Sequence, residues 1–414
     1  MNRDILVYVD VAGTPTLCGR LWTRSLPREG ASFEYAEAWR KHPRAFSLDP
    51  DLPLDEGRSH TALAIFRAFT DPAPDRWGQT LLRRAERAQA RREGRPPRAL
   101  TAVDFLLLVD DETRLGALRF QEASSARSGT FLATGGKRVP PLVELPRLLG
   151  ATARIVADEE TDEDLTLLLA PGTSLGGARP KASVRHPDGA LLVAKFPSKN
   201  DEWPITRWEA TTLSLARGAG IRVPAFRLEL VAKKPVLLLD RFDRQGSVRI
   251  PFMSAMTALS AEENQPHSYL ELAEVLRQGG SEPEEDLREL WRRLAFNVLV
   301  SNTDDHLRNH GFLHDGVGWR LAPAYDLNPM PPDVRPRVHA LALDEEDPTA
   351  SMETAFAVAP RFGIIKAEAG RIAREVASSV KTWRAEARRS GLSPRELERM
   401  EAAFEHEDLA RAAK

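Results

Sequence analysis

The sequence predicts an α+β fold, with small antiparallel sheets in its N-terminal region and a mostly helical C-terminal part. Strand-like alternation fills the start of the chain (ILVYVDV, LCGRLW) and returns in the middle (KASVRH, ALLVAKF). From His267 onward the apolar residues recur at helical spacing, as in YLELAEVLRQGG and EEDLRELWRRLAFNVLVS. The 414 residues suffice for two or three domains with a full-sized core. A Ser/Gly/Pro-rich stretch at 124–141 suggests a boundary, so the expected division is 1–123, 142–242 and 243–414.

At 42% hydrophobic and 29% charged residues, the composition is that of an ordinary globular protein, and a net charge of −2 excludes polyanion binding by bulk electrostatics. Cys18 is the sole cysteine, which rules out an internal disulfide and any cysteine metal cluster and fits a reducing compartment. MNRDILVYVDVAG lacks the layout of a signal peptide, and no apolar run is long enough to span a bilayer. A cytoplasmic protein without membrane attachment is expected.

Taken in order, residues Ile5 to Leu21 read as strand, turn (Ala12-Gly13-Thr14-Pro15) and strand, with Phe33 and Tyr35 extending the sheet. ALAIFRAF and WGQTLLRRAERAQA read as two helical segments separated by Asp71-Pro72-Ala73-Pro74. Between Arg76 and Arg98 eight arginines face two glutamates, an excess of six positive charges and the one candidate nucleic-acid surface. A solvated helix face is the plainer explanation. GALRF reads as a strand, and Asp158 to Asp164, with six acids in seven residues, as a solvated loop or helix start.

The middle of the chain carries chemistry. In Ser174-Leu175-Gly176-Gly177-Ala178-Arg179-Pro180-Lys181 the paired glycines let backbone N–H groups approach an anion, and Arg179 and Lys181 add charge. The spacing is not that of a Walker A loop, and most Gly-Gly pairs are only turns. Pro187-Asp188-Gly189 then joins two strands, the second ending at Lys195, where a protein kinase keeps its phosphate-contacting lysine. Glu209, near the start of the amphipathic WEATTLSLARGAG, has the place of the helix glutamate that pairs with that lysine. Leu239 to Phe242 falls where an adenine-binding hinge belongs.

The densest stretch is Phe296 to Asp326. Asp304 and Asn309 are five residues apart, the interval between base and metal ligand in a kinase catalytic loop, and Asp326 follows seventeen residues later. Asp315-Gly316 predicts a hairpin that returns Asp326 beside Asn309. Phosphoryl transfer needs a carboxylate to orient the attacking hydroxyl and oxygen ligands for magnesium on the phosphates of ATP, which Asp304, Asn309 and Asp326 can supply. Alone, NTDDHLRN is equally readable as a polar turn after a buried helix. The full order of glycine loop, strand lysine, helix glutamate, hinge, helical lobe, D-x-x-x-x-N, hairpin and aspartate favours a protein-kinase-like bilobal fold, because agreement across levels is what isolated motifs lack.

Together SLGGARPKASV, LLVAKFPSK, RFDR, NTDDHLRN and PAYD resemble the HipA family of serine/threonine kinases, toxins of bacterial toxin–antitoxin modules. VYVDVAG, DRWGQ at Asp75 to Gln79 and RLGALRF extend the resemblance over nearly the whole chain. It implies Asp304 as catalytic base, Asn309 and Asp326 as Mg2+ ligands, Lys195 and the Ser174–Lys181 loop (Gly176, Gly177, Ala178 and Arg179 included) as ATP phosphate binders, and Asp240 to Phe242 as the adenine hinge. It implies His306 near the transferring phosphate and Ser174 as a site of self-phosphorylation that switches activity off. It further implies a protein substrate, an aminoacyl-tRNA synthetase in family members, and a HipB-like helix-turn-helix antitoxin through which DNA contact is mostly indirect. FTDPAPDRWGQ replaces the family's usual F-D-N-L-L-P-E-G element, as in a divergent branch. A catalytically idle repressor subunit and a small-molecule kinase are the competing functions.

Overall fold

The computed structural model describes residues 2–24, 29–124, 130–133, 139–169, 177–345 and 347–414. The chain divides into two compact units, one made of 1–199, 231–234 and 238–253, the other of 200–230, 235–237 and 254–414.

In the first unit, β1 (Arg3–Val11), β2 (Thr14–Arg24), β3 (Gly30–Tyr35), β4 (Arg58–Thr61) and β5 (Leu118–Glu122) form one antiparallel sheet in the order β4-β3-β2-β1-β5. Ile5, Val7 and Val9 alternate along β1 and are fully buried, so one face of the sheet is core. The first hairpin turns on Ala12 and Gly13 alone, both at positive φ, which matches the right-handed twist of the strands; Thr14 and Pro15 already belong to β2. Phe33, Phe69 and Phe120 pack over this face with ring centroids 5.5 and 6.1 Å apart.

ALAIFRAF departs from its helical expectation. Only Arg67–Phe69 forms a single 3-10 turn, since β4 runs to Thr61 and Ile65, Phe66 and Phe69 are used as plugs of the sheet core. Tertiary burial overrides local period here.

Arg76–Arg92 is a helix, N-capped by Asp75, whose carboxylate accepts from Gly78 N. The two charge runs of the sequence meet at this helix. Arg84 pairs with Asp158 and Glu160 at 2.5 and 2.7 Å, and Arg92 with Asp162 at 2.8 Å. Arg95 and Arg98 turn back on Glu86.

β6 (Lys181–Arg185) and β7 (Leu191–Lys195) form the expected hairpin, with Gly189 at φ 94° in its turn. A further strand, Lys234–Asp240, flanks β7.

The second unit is helical. Ile205–Gly218 buries Trp208 against Trp383 and Phe404, the last two stacked at 4.7 Å. Tyr269–Gly279 starts with a capping box between Ser268 and Glu271. Pro283–Leu299 opens with proline and three acids, the arrangement the helix dipole favours, and is followed by the loop that carries Asp304. Among the described residues no helix is long and apolar enough to cross a membrane.

Candidate active site

The loop after Leu299 is shaped by what lies behind it. Ser301 takes a positive φ of 51°, and Asn302 N returns to Asn297 O at 2.9 Å, so the helix ends in a tight reversal. Beyond it Asp304 points to solvent, while Asp305, Asn309 and His310 are buried. Asn309 Nδ2 donates to Asp304 O at 3.2 Å, and one residue further on His310 Nε2 meets Asp305 Oδ2 at 2.9 Å. Two cross-loop bonds with the same five-residue separation thus close the loop, one at its front and one at its back. The Tyr269 hydroxyl also donates to Asp305. Burial pushes the Asp305 carboxyl up, but the His310 imidazole and these two hydrogen bonds outweigh it, and the group stays ionised below the usual carboxylate range. Burial and the Asp305 charge hold the Tyr269 phenol well above its ordinary value.

The expected hairpin is present. Gly311–His314 pairs with Trp319–Leu321, with Gly316 at φ 100° in a four-residue connection from Asp315 to Gly318. Ala322 N returns to Gly311 O at 2.8 Å, and the Tyr325 hydroxyl donates to Arg308 O at 2.9 Å. Asp326, the next residue, sits in the left-handed region at φ 59°, a conformation that aspartate and asparagine tolerate better than most residues and that clusters at functional sites. Asn328 Nδ2 donates to its Oδ1 at 3.4 Å.

Asp304 is bound at Oδ1 by Arg335 at 2.9 Å, in a pair that is 62% exposed on the carboxylate side. Asn309 Oδ1 is buried without a hydrogen-bond partner among the described residues, and so is Asn328 Oδ1. Buried acceptors left over beside a carboxylate fit a hard cation, which takes oxygen ligands. No group of three or more His, Cys, Asp or Glu placed to hold a metal ion is found among the described residues. Magnesium held by one carboxylate and one amide, with phosphate oxygens and water completing the shell, needs none. His306 precedes the 3-10 turn Leu307–Asn309, and its backbone O accepts from Asn309 N at 2.8 Å; its Nδ1 is a further buried atom without a hydrogen-bond partner among the described residues.

The other expected site residues divide between the two units. Glu209 is 2% exposed on Ile205–Gly218 in the second unit, and Lys195 ends β7 in the first. Lys195 is the cross-strand neighbour of Lys181. Lys181 is itself 2% exposed, its Nζ 2.7 Å from Asp75 Oδ2, while Trp77 Nε1 donates to Lys181 O at 3.0 Å. The DRWGQ element therefore fastens the end of the glycine-rich segment to the Arg76–Arg92 helix. Gly177 needs its glycine, at φ 89°, and Ala178 and Arg179 are exposed; Ser174 and Gly176 lie outside the described residues. In the hinge segment Asp240 is exposed, Arg241 N bonds Leu191 O at 3.2 Å, and Phe242 packs on Phe252 at 6.1 Å.

Sequence reasoning missed what RFDR does. Arg241 chelates Asp243 through two 2.6 Å bonds and donates to Thr113 O and Arg114 O; Arg244 reaches Asp243, Arg114 O and Gly116 O; and Gly116 N donates to Asp243 at 2.8 Å. RFDR and RLGALRF, noticed separately, are two halves of one clamp. It also missed Asn297, read only as part of an apolar run. A single amide inside FNVLV is the signal that could have found it.

Comparisons with known proteins bear on the fold and the family. A solved HipA from Shewanella oneidensis MR-1, in complex with HipB and operator DNA, superimposes with a TM-score of 0.66 over 99% of this chain and 96% of its own at 16% identity, which establishes a shared α+β fold. Among curated proteins, "Putative kinase Y4mE" of Sinorhizobium fredii is 28% identical over 44% of this chain and 48% of its own length. A similarly named protein of Haemophilus influenzae is 25% identical over 45% of this chain and 62% of its own. This chain thus matches about half the length of those relatives. The model of the HipA-like C-terminal domain matches residues 173–384, just over half of the chain, and the chain therefore belongs to that family.

Proposed function

We propose that this protein is an ATP- and Mg2+-dependent serine/threonine-protein kinase that acts as the toxin of a toxin–antitoxin module. The observation that carries the reading is the closed loop of Asp304 to Asn309, with a solvent-facing carboxylate at one end and an uncommitted buried amide oxygen at the other. Asp304 orients the hydroxyl of a protein substrate and takes its proton, after exchanging Arg335 for that hydroxyl. Asn309 and Asp326 offer oxygens to the metal, Lys195 holds the phosphates, and Glu209 has the place of the helix glutamate that serves such a lysine. Bound magnesium supplies neutralisation of the charge that grows on the leaving phosphate oxygens. Gly176, Gly177, Ala178, Arg179 and Lys181 belong to the phosphate loop, Asp240 and Phe242 to the adenine hinge, and His306 to the neighbourhood of the transferring group. Residues 1–123, 142–242 and 243–414 act as N-terminal subdomain, nucleotide-binding part and catalytic lobe of a cytoplasmic enzyme.

Names of the curated relatives support the kinase reading, and the complex of the Shewanella protein with HipB and DNA supports a helix-turn-helix antitoxin as partner. An aminoacyl-tRNA synthetase as substrate, translation arrest and self-inactivation at Ser174 follow from the family resemblance.

Incubation with γ-labelled ATP and magnesium tests this. The wild type is expected to transfer label to itself or to a co-purified protein, with phosphate on Ser174 by mass spectrometry, and Asp304→Asn to lose the transfer. A folded, nucleotide-binding wild type that transfers no label sinks the kinase reading.

A further inference from the structure

Asn297 lies on the last turn of Pro283–Leu299, 1% exposed, with its carboxamide engaged at both ends. Nδ2 donates to the Tyr269 hydroxyl at 2.9 Å, and Oδ1 accepts from Asn302 Nδ2 at 3.1 Å. Two arms leave this one group. The first runs from Tyr269 to Asp305 and on to His310, the residue beside Asn309. The second runs from Asn302, whose Oδ1 accepts Asn328 N at 3.4 Å, through Asn328 Nδ2 to Asp326 Oδ1 at 3.4 Å.

The network can run in one sense only. Tyr269 gives its proton to Asp305, so its oxygen must accept, and Asn297 must turn its N–H2 towards it. That leaves the Asn297 oxygen for Asn302, which fixes which way the Asn302 amide faces and hence what it offers Asn328. Aspartate in place of Asn297 has no proton to donate to Tyr269, and leucine serves neither arm. Arg293, Asn297, Asp305, Asn309, His310 and Tyr325 also line one small cavity of ≈ 10 Å³ behind the loop, so Asn309 shares its rear wall with the hub.

We propose that Asn297 is a positioning residue that sets Asn309 and Asp326 in register as a pair of metal ligands. The inference rests on the reading of those two residues as the magnesium site. Residues that orient ligands without touching the metal typically change its affinity by about 10- to 100-fold when removed.

The test is Mn2+ binding to the full chain, followed by electron paramagnetic resonance in the presence of a non-hydrolysable ATP analogue. Asn297→Leu is expected to raise the Mn2+ Kd by about 10- to 100-fold with metal-free nucleotide binding unchanged. Asn328→Ala, which cuts one arm, should raise it less. A purely structural role would lower the number of sites per chain and leave the Kd of the folded fraction as it was; an unchanged Kd therefore overturns the proposal. Should Asn297→Leu not fold, Tyr269→Phe, which deletes a single oxygen and cuts only the first arm, should raise the Kd by the smaller amount expected of a one-arm variant, and an unchanged Kd there overturns the proposal as well. A wild type that binds no Mn2+ removes the metal site itself, and with it both readings.

Discussion

Two buried polar clusters, one in each unit, use their polar atoms in opposite ways. In the RFDR clamp, Asp243 accepts from Arg241, Arg244 and Gly116 N, and the groups left over are donors, Arg114 Nε and Arg249 Nη1. In the loop cluster the carboxylate of Asp305 is equally engaged, but the atoms left over among the described residues include two amide acceptors, Asn309 Oδ1 and Asn328 Oδ1, beside Thr303 Oγ1 and the Nδ1 atoms of His306 and His310. A surplus of buried donors beside fixed positive charge has no use for a cation. Left-over amide oxygens, one of them on the asparagine that donates to Asp326, do have one. Burial and shared motif status do not separate a structural site from the proposed functional one; uncommitted amide oxygens are what distinguish the two clusters.

This contrast can be broken most directly at Asp326. Asp326→Asn should lower phosphoryl transfer by roughly a thousand-fold, the scale of losing one preorganised electrostatic group, with an unchanged melting temperature. Loss of stability in place of activity would move Asp326 into the structural class. In the clamp the expectation reverses. Asp243→Ala leaves Arg241 and Arg244 buried without their counter-charge and should cost about 3–5 kcal/mol in chemical denaturation, while the folded fraction keeps its nucleotide affinity.

Acid sharpens the comparison further. Burial pushes His339 and His406, both in the second unit, down to about 4. Their neutral forms are favoured in the folded state, so the stability they contribute is full above the free imidazole value near 6.5 and is lost as pH falls towards 4. At pH 5 the loss is about 2 kcal/mol per histidine. In the first unit, burial raises Asp243 but Arg241 and Arg244 lower it further, to about 2, so its contribution persists until pH drops below the free carboxyl value near 3.9. Hydrogen exchange at pH 7 and pH 5 should therefore show the second unit loosening first, and His339→Gln should reduce that difference. The smallest effect belongs to the surface. Arg84→Ala breaks two ion pairs, one to the 78%-exposed Asp158, and should cost no more than about 1 kcal/mol in a denaturant titration.

Much of this was legible in the sequence, because short-range chemistry leaves short-range marks. Alternation fixed β1, Asp-Gly marked the hairpin before Asp326, and the spacing of Asp304 to Asn309 singled out the loop. What stayed hidden depends on distant partners. RFDR meets the 112–116 turn across more than a hundred positions, and nothing local in either says so. The helical reading of ALAIFRAF failed because its apolar residues answer to a sheet, not to one another. Asn297 was masked by its neighbours, since a buried amide is informative only once its two partners are known.

The facing charge runs of Arg76–Arg92 and 158–164 carry a last consequence, for salt. Arginines on a bare surface bind nucleic acid largely because condensed counterions are released when they replace them on the phosphates. Arg84 and Arg92 already have carboxylates as their counterions, covalently part of the same chain. A polyanion arriving there would trade one ion pair for another and expel an acidic segment that cannot diffuse away. The entropic gain that ordinarily drives such binding is largely missing at these two positions, and three acids of the facing segment offset half of the formal excess of six positive charges.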